Sequence, residues 1–190
     1  MALPLNPVHL ERWIEENQEL FEPPVSNQVV FADSDFIFMV VRGPNARNDF
    51  HIDPGDEIFY QLEGTIQVDI RRPLPDGADG PVESHLVAPG ELFLVPADVP
   101  HSPLRPADTW GVVVERQRRD GELDRIRWYC DCCDEVLYER QFALADIVTE
   151  LKAILDEFNA SEALRTCRCG CVKAVAEPFM LREDPNEGGP

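Results

Sequence analysis

Long hydrophobic runs are missing from this 190-residue sequence. Its most apolar stretches, near 36–41 and 91–96, fall far short of the roughly 20 residues that a helix needs to cross a bilayer. The first ten residues carry no basic cluster and no sustained apolar segment, so a secretory leader is not expected. Positive charge is scarce as well. Lys and Arg total 17 against 36 Asp and Glu, a net charge of −19. A chain so acidic lacks the cationic footprint that nucleic acid or an anionic membrane surface demands, and neither is expected as a partner. No cysteine precedes Cys130 and no histidine follows His101, which disfavours a cysteine–histidine catalytic pair. What is present is a composition 44% apolar, enough for a core and incompatible with wholesale disorder. The length suits one domain with an appendage, read here as 1–125 and a C-terminal extension 126–190, in a cytoplasmic protein.

The six cysteines fall in two clusters, Cys130, Cys132 and Cys133, then Cys167, Cys169 and Cys171. A disulfide framework belongs to short secreted chains, and nothing here points to secretion. Two tight groups of thiolates on distant segments are what a tetrahedral four-sulfur metal site requires. Cys130 and Cys133 have the usual CxxC spacing, and Cys132 is expected to point elsewhere. The second cluster departs from that spacing, since Cys167-Arg168-Cys169-Gly170-Cys171 contains no CxxC. A glycine after the second ligand suits the positive φ of a tight knuckle, which favours Cys167 and Cys169, with Cys171 as the substitute if CxC is too short to chelate. The metal would be iron or zinc and structural.

Leu10, Trp13, Ile14, Leu20 and Phe21 give an N-terminal helix one apolar face, ending before Pro23-Pro24. Segments rich in β-branched and aromatic residues follow, around 29–31, 36–41 and 58–60. Ile66, Val68 and Ile70 alternate with polar residues, fed by a hairpin turn at Glu63-Gly64. Loop chemistry occupies 73–81, and strands resume at 85–87, 92–95 and 111–115. The pattern over 25–118 predicts a mainly β fold, a small antiparallel barrel. The character changes after Gly121. Leu144, Ile147, Val148, Leu151, Ile154, Leu155 and Phe158 follow helical spacing and read as core packing of an amphipathic helix set between the cysteine clusters. The tail from 183 to 190 is acidic and expected to fray.

The candidate chemistry gathers around two of the four histidines. A lone histidine is more often a surface or hydrogen-bonded core residue, and His9 and His85 are read so. His51 is followed by Glu57, and His101 stands in a Gly90-x5-Pro96 context. Two imidazoles and a carboxylate on neighbouring barrel strands make a facial triad that suits ferrous iron and leaves positions open for substrate and dioxygen.

This spacing resembles the two motifs of the cupins, whose jelly-roll barrel it implies. Many cupins carry a further histidine two positions after the first. Asp53 stands there, which leaves His51, Glu57 and His101 as the ligands. Further segments narrow the resemblance: Pro24-Val25-Ser26-Asn27, Gly43-Pro44-Asn45-x-Arg47, Glu57-x-Phe59-Tyr60-Gln61-Leu62-x-Gly64, His101-Ser102-Pro103-x-Arg105-Pro106 and Val114-Glu115-Arg116-Gln117-Arg118. With Trp128-Tyr129-Cys130-Asp131 and the late cysteines, they are similar to the 3-hydroxyanthranilate 3,4-dioxygenase family from Trp13 to about Val172. The resemblance implies an Fe(II) enzyme that opens the ring of 3-hydroxyanthranilate with O2. The product, 2-amino-3-carboxymuconate semialdehyde, cyclises to quinolinate for NAD synthesis, and the family suggests a homodimer. On that basis Arg47 and Arg105, with forked guanidinium groups suited to a carboxylate, would grip the substrate. Glu115 would take a proton from its hydroxyl, and Asn27 would hydrogen-bond bound oxygen or orient a neighbour. Without that context all three charged residues read as surface or strand-end charges. Two rivals stand beside this reading: another cupin metalloenzyme, which would lack the arginine pair, and a non-catalytic cupin binder, which would need neither the triad nor Glu115.

Overall fold

A computed structural model describes residues 6–21, 26–144 and 150–181. The expected helix stop at Pro23-Pro24, the 145–149 part of the later amphipathic stretch and the acidic tail lie outside those residues. Helix α1 spans Leu10–Asn17 and ends in a single 3₁₀ turn, Gln18–Leu20. Eleven strands follow among the described residues. They are β1 Ser26–Val29, β2 Phe36–Arg42, β3 Phe50–Ile52, β4 Glu57–Glu63, β5 Ile66–Pro73 and β6 Asp79–Val87. After them come β7 Leu92–Val95, β8 His101–Leu104, β9 Trp110–Arg116, β10 Asp124–Tyr129 and β11 Val136–Phe142. Helices α2 Glu150–Ala160 and α3 Glu162–Arg165 close the chain.

All pairing is antiparallel, in two sheets ordered β1-β2-β9-β4-β7 and β11-β10-β3-β8-β5-β6. Strands β2 to β9 are shared between the sheets in the order 2-9-4-7 and 3-8-5-6, the jelly roll that the cupin resemblance implies. Period-two burial explains why these residues form strands. On β4, Glu57, Phe59 and Gln61 are buried while Ile58 and Tyr60 face out; on β5, Ile66, Val68 and Ile70 turn inward. With Ile37, Met39, Val41, Val87, Val95 and Val113 they fill the space between the sheets.

Two features differ from the expectations. Glu63-Gly64 is a turn, with Gly64 at φ 66°, but no hairpin: β4 and β5 lie in different sheets, and the chain crosses over between them. Sheet pairing also continues past 118, because β10 and β11 extend the second sheet from its β3 edge, and β10 runs through the boundary expected at 125–126. Their alternation is masked by charge: outward Arg127 pairs with Asp79 and Glu139, while Ile126 and Trp128 are wholly buried. The amphipathic stretch packs as expected: α2 sets Leu151, Ile154, Leu155 and Phe158 against Ile126 and Trp128, forming a second core. Phe158 stacks on Trp128 with centroids 4.1 Å apart.

Candidate active site and metal centres

Three short strands bring the triad together. His51 on β3 lies opposite His101 on β8, and Glu57 begins β4 in the facing sheet. All three are buried, and their ligand atoms lie within 4.8 Å of one another. Glu57 Oε2 is 2.7 Å from His101 Nε2 and 3.9 Å from His51 Nδ1. The far side of each ring fixes which nitrogen carries hydrogen. His101 Nδ1 sits 3.0 Å from the Val99 carbonyl, which only accepts. His51 Nε2 sits 2.8 Å from an Asp124 carboxylate oxygen, whose carboxyl, despite burial, is held below its ordinary range by Arg118 and His51. Both outer nitrogens therefore donate, and both inner nitrogens turn a lone pair toward the Glu57 carboxylate. Three electron-rich atoms converging on one buried point require a cation between them. Without a metal a proton must serve: burial would depress His101, but the Glu57 charge raises its pKa. Burial opposes the Glu57 charge, yet His101, His51 and Arg118 pull its pKa to about 2. The donor set fits a divalent metal of intermediate softness.

Asp53, Glu57 and Glu115 form another close acidic group. There Arg118 already supplies the cation, 2.9 Å from Asp53 and 3.3 Å from Glu115, so a metal is favoured at the imidazoles instead. Glu115 on β9 lies opposite Glu57 in register and is 1% exposed. Burial, then the Glu57 charge, push its carboxyl well above the usual range despite Arg118. Arg105 is also 1% exposed. It donates to Gln61 Oε1 at 3.2 Å and, among the described residues, makes no ion pair. Burial lowers its pKa to about 10. Arg47 instead forks onto Asp49, with contacts of 3.1 and 2.6 Å. Asn27 donates to Met39 Sδ at 3.6 Å and leaves its own buried Oδ1 without a partner among the described residues. Asn27, Arg47 and Arg105 line one cavity with the triad, and Leu151 of α2 walls it. Glu115 does not line it but stands behind Glu57. His9 caps α1, and His85 lies beside Glu83 and Phe93, away from the site.

The larger depressions are elsewhere. One of about 670 Å³ lies between α1 and Trp110, one of about 410 Å³ lies outside the first sheet and is lined in part by Glu115, and one of about 390 Å³ lies outside the second sheet beside the cysteine loop. None contains the triad.

Cys130, Cys133, Cys167 and Cys169 bring four sulfurs within 4.8 Å of one another, with Cys130–Cys169 and Cys133–Cys167 both at 3.6 Å. Tetrahedral coordination at about 2.3 Å implies sulfur separations of roughly 3.8 Å, so the cluster has the dimensions of a closed site. The N–H groups of Cys132 and Cys133 draw the Cys130 thiol down to about 6. Cys167, despite the N–H of Cys169, is pushed up to about 12 by burial and the neighbouring thiols. Four adjacent thiolates need a cation to ionise together. Gly170 follows with φ 89°, as a knuckle turn requires. Cys171 is not in the four-sulfur group; it forms a disulfide with Cys132.

The family model for 3-hydroxyanthranilic acid dioxygenase matches residues 2–159. The chain belongs to this family. Three proteins named 3-hydroxyanthranilate 3,4-dioxygenase extend the likeness beyond the matched segment. One from Bacillus cereus is 42% identical over 171 residues, 90% of this chain and 93% of the relative. One from Neurospora crassa is 40% identical over 182 residues, covering 95% and 97%. One from Xanthomonas euvesicatoria is 42% identical over 179 residues, covering 94% and 98%. Within this member of the 3-hydroxyanthranilic acid dioxygenase family, the sequence reading missed Asp124, Asp49 and Leu151. Asp124 has inward parity on β10 as its one signal, and Leu151 reads as ordinary core.

Proposed function

We propose that this chain opens the ring of 3-hydroxyanthranilate with dioxygen at ferrous iron held by His51, Glu57 and His101. Support comes from one observation above all: two imidazole lone pairs and a buried carboxylate converge beside a buried guanidinium, Arg105, that has no counterion among the described residues. When bound, ferrous iron supplies open positions where the substrate hydroxyl and amine and dioxygen meet. The remaining work belongs to the chain. Arg105 receives the substrate carboxylate, and Arg47 joins it by sharing its fork with Asp49. Glu115, buried behind Glu57 on the neighbouring strand, is the base assigned to the proton of the substrate hydroxyl. Asn27 Oδ1 or Nδ2 orients oxygen or a neighbouring group, and Leu151 helps exclude water. Both dioxygen atoms enter the product: the hydroxyl-bearing carbon becomes a carboxylate and its neighbour an aldehyde. That product, 2-amino-3-carboxymuconate semialdehyde, cyclises to quinolinate, the precursor for NAD.

Iron or zinc at Cys130, Cys133, Cys167 and Cys169 completes the reading as a structural site. A homodimer in the cytoplasm is part of the same proposal. Ile58, Tyr60, Leu92 and Leu94 lie on one exposed face of the first sheet, a surface for a second copy. No described helix is long and apolar enough to cross a membrane. The test is dioxygen uptake by the Fe(II)-loaded protein with 3-hydroxyanthranilate, catechol or a sugar phosphate. Uptake with the first alone supports the proposal; equal uptake with catechol would point to a different cupin dioxygenase.

A further inference from the structure

Asp124 opens β10, two residues before Ile126, which lies opposite His51 in the β10–β3 register. That parity turns the Asp124 side chain into the interior as a diagonal neighbour of His51. The residue is 0% exposed. Its Oδ1 is 2.8 Å from His51 Nε2, on the side of the ring away from Glu57. Arg118 fixes the carboxylate in turn, donating from Nε to Oδ2 at 2.8 Å and from Nη2 to Oδ1 at 2.6 Å. The same Nη2 reaches Asp53 at 2.9 Å and Glu115 at 3.3 Å.

A buried, ionised carboxylate is a costly feature that packing alone does not explain. Here it does one geometric thing: it accepts a hydrogen bond from His51 Nε2–H and so leaves Nδ1 as the lone-pair atom. We infer that Asp124 is a positioning residue that sets the tautomer and ring orientation of His51 for metal binding, with Arg118 locking it and tying that ligand to Glu115. Carboxylates behind ligating histidines raise ligand basicity, and their removal costs on the order of 10–100-fold in metal affinity. The inference rests on reading His51, Glu57 and His101 as the metal centre.

The experiment uses the full chain with its four-thiol site first filled with zinc, titrated with Co(II). Ring-nitrogen NMR of the metal-free triad is read in parallel. Wild type should bind one further Co(II), with His51 in the Nε2–H tautomer. Asp124→Asn keeps the shape, but its amide can donate as well as accept and no longer dictates the tautomer. It should bind Co(II) about tenfold or more weakly and lose the Nε2–H preference. Asp79→Asn removes a carboxylate from Arg127 and Tyr129, away from the triad; it should lower thermal stability and leave Co(II) affinity unchanged. Unaltered affinity and tautomer in Asp124→Asn overturn the inference, as does an equal loss in Asp79→Asn. If wild type takes up no Co(II) beyond the thiol site, the metal-centre reading fails and this inference falls with it. Tight wild-type binding with an unaffected Asp124→Asn defeats this inference alone.

Discussion

Arg105 shows the conflict between stability and function within one side chain. A buried guanidinium without a carboxylate costs folding free energy, and burial already drags its pKa to about 10. Arg105→Met should therefore leave the substrate-free protein as stable as wild type or more so, by thermal unfolding. It should also lose the charge-assisted contact, worth about 2–5 kcal/mol in kcat/KM. A variant that loses stability but keeps kcat/KM would refute the assignment. The triad predicts a pH signature in metal-free protein. His101 has a folded pKa raised above 6.5, so its contribution is complete below 6.5 and is lost as pH rises through the raised value. Glu57 has a folded pKa of about 2 against 4.5, so its contribution is present above 4.5 and is lost as pH falls toward 2. The pair thus stabilises metal-free protein most between about 4.5 and 6.5. Metal must displace the His101 proton, so apparent affinity should fall about tenfold per unit below the raised pKa. Metal titrations at several pH values, beside thermal melts, check both slopes.

At the scale of elements, the cysteine loops clip the ends of the segment that carries α2, and α2 supplies Leu151 to the cavity that holds the triad. Cys169→Ser should lose the metal of the four-thiol site and lower thermal stability, whereas Cys171→Ser, which breaks the disulfide to Cys132, should keep that metal. Metal content by mass spectrometry decides between them; retention by Cys169→Ser with loss from Cys171→Ser would contradict the ligand set. The same elements show why some of the fold is legible and some is not. β4 and β5 announce themselves because a clean inside–outside alternation survives in Phe59, Ile66, Val68 and Ile70. His51, Glu57 and His101 stand out because the Gly, Pro and Glu spacing around the two histidines resembles the cupin motifs, although the β3–β8 pairing that joins them is long-range. β10 and β11 are hidden, since Arg127 and Glu139 satisfy each other across the pair and read locally as solvated charge. The crossover at Gly64 is hidden too, because one turn sequence serves a hairpin or a change of sheet, and only the partner strands settle which. Asp124 was invisible for the same reason: its role depends on β10 lying beside β3.

Over the whole molecule, a net charge of −19 surrounds a site that must accept an anion. Long-range repulsion is screened by salt, with a Debye length of about 8 Å at physiological ionic strength, while the buried Arg105 contact is screened much less. Raising ionic strength from low to physiological should therefore increase kcat/KM; a decrease would mean that the local arginine field dominates the approach. The molecule couples two metal-site geometries of opposite kind, an open triad between the sheets and a closed four-sulfur cluster at the edge. In the proposed reading only the first, with positions left open, would turn over substrate. The most direct measurement is a titration of Fe(II) into metal-stripped protein whose thiol site has been refilled with zinc. Ring opening of 3-hydroxyanthranilate is followed throughout, in wild type and in His101→Ala. Activity should climb in proportion to iron, level off at one iron per chain in wild type, and stay at baseline in a folded His101→Ala protein. Wild-type activity that does not depend on iron, or full activity in His101→Ala, would contradict the account.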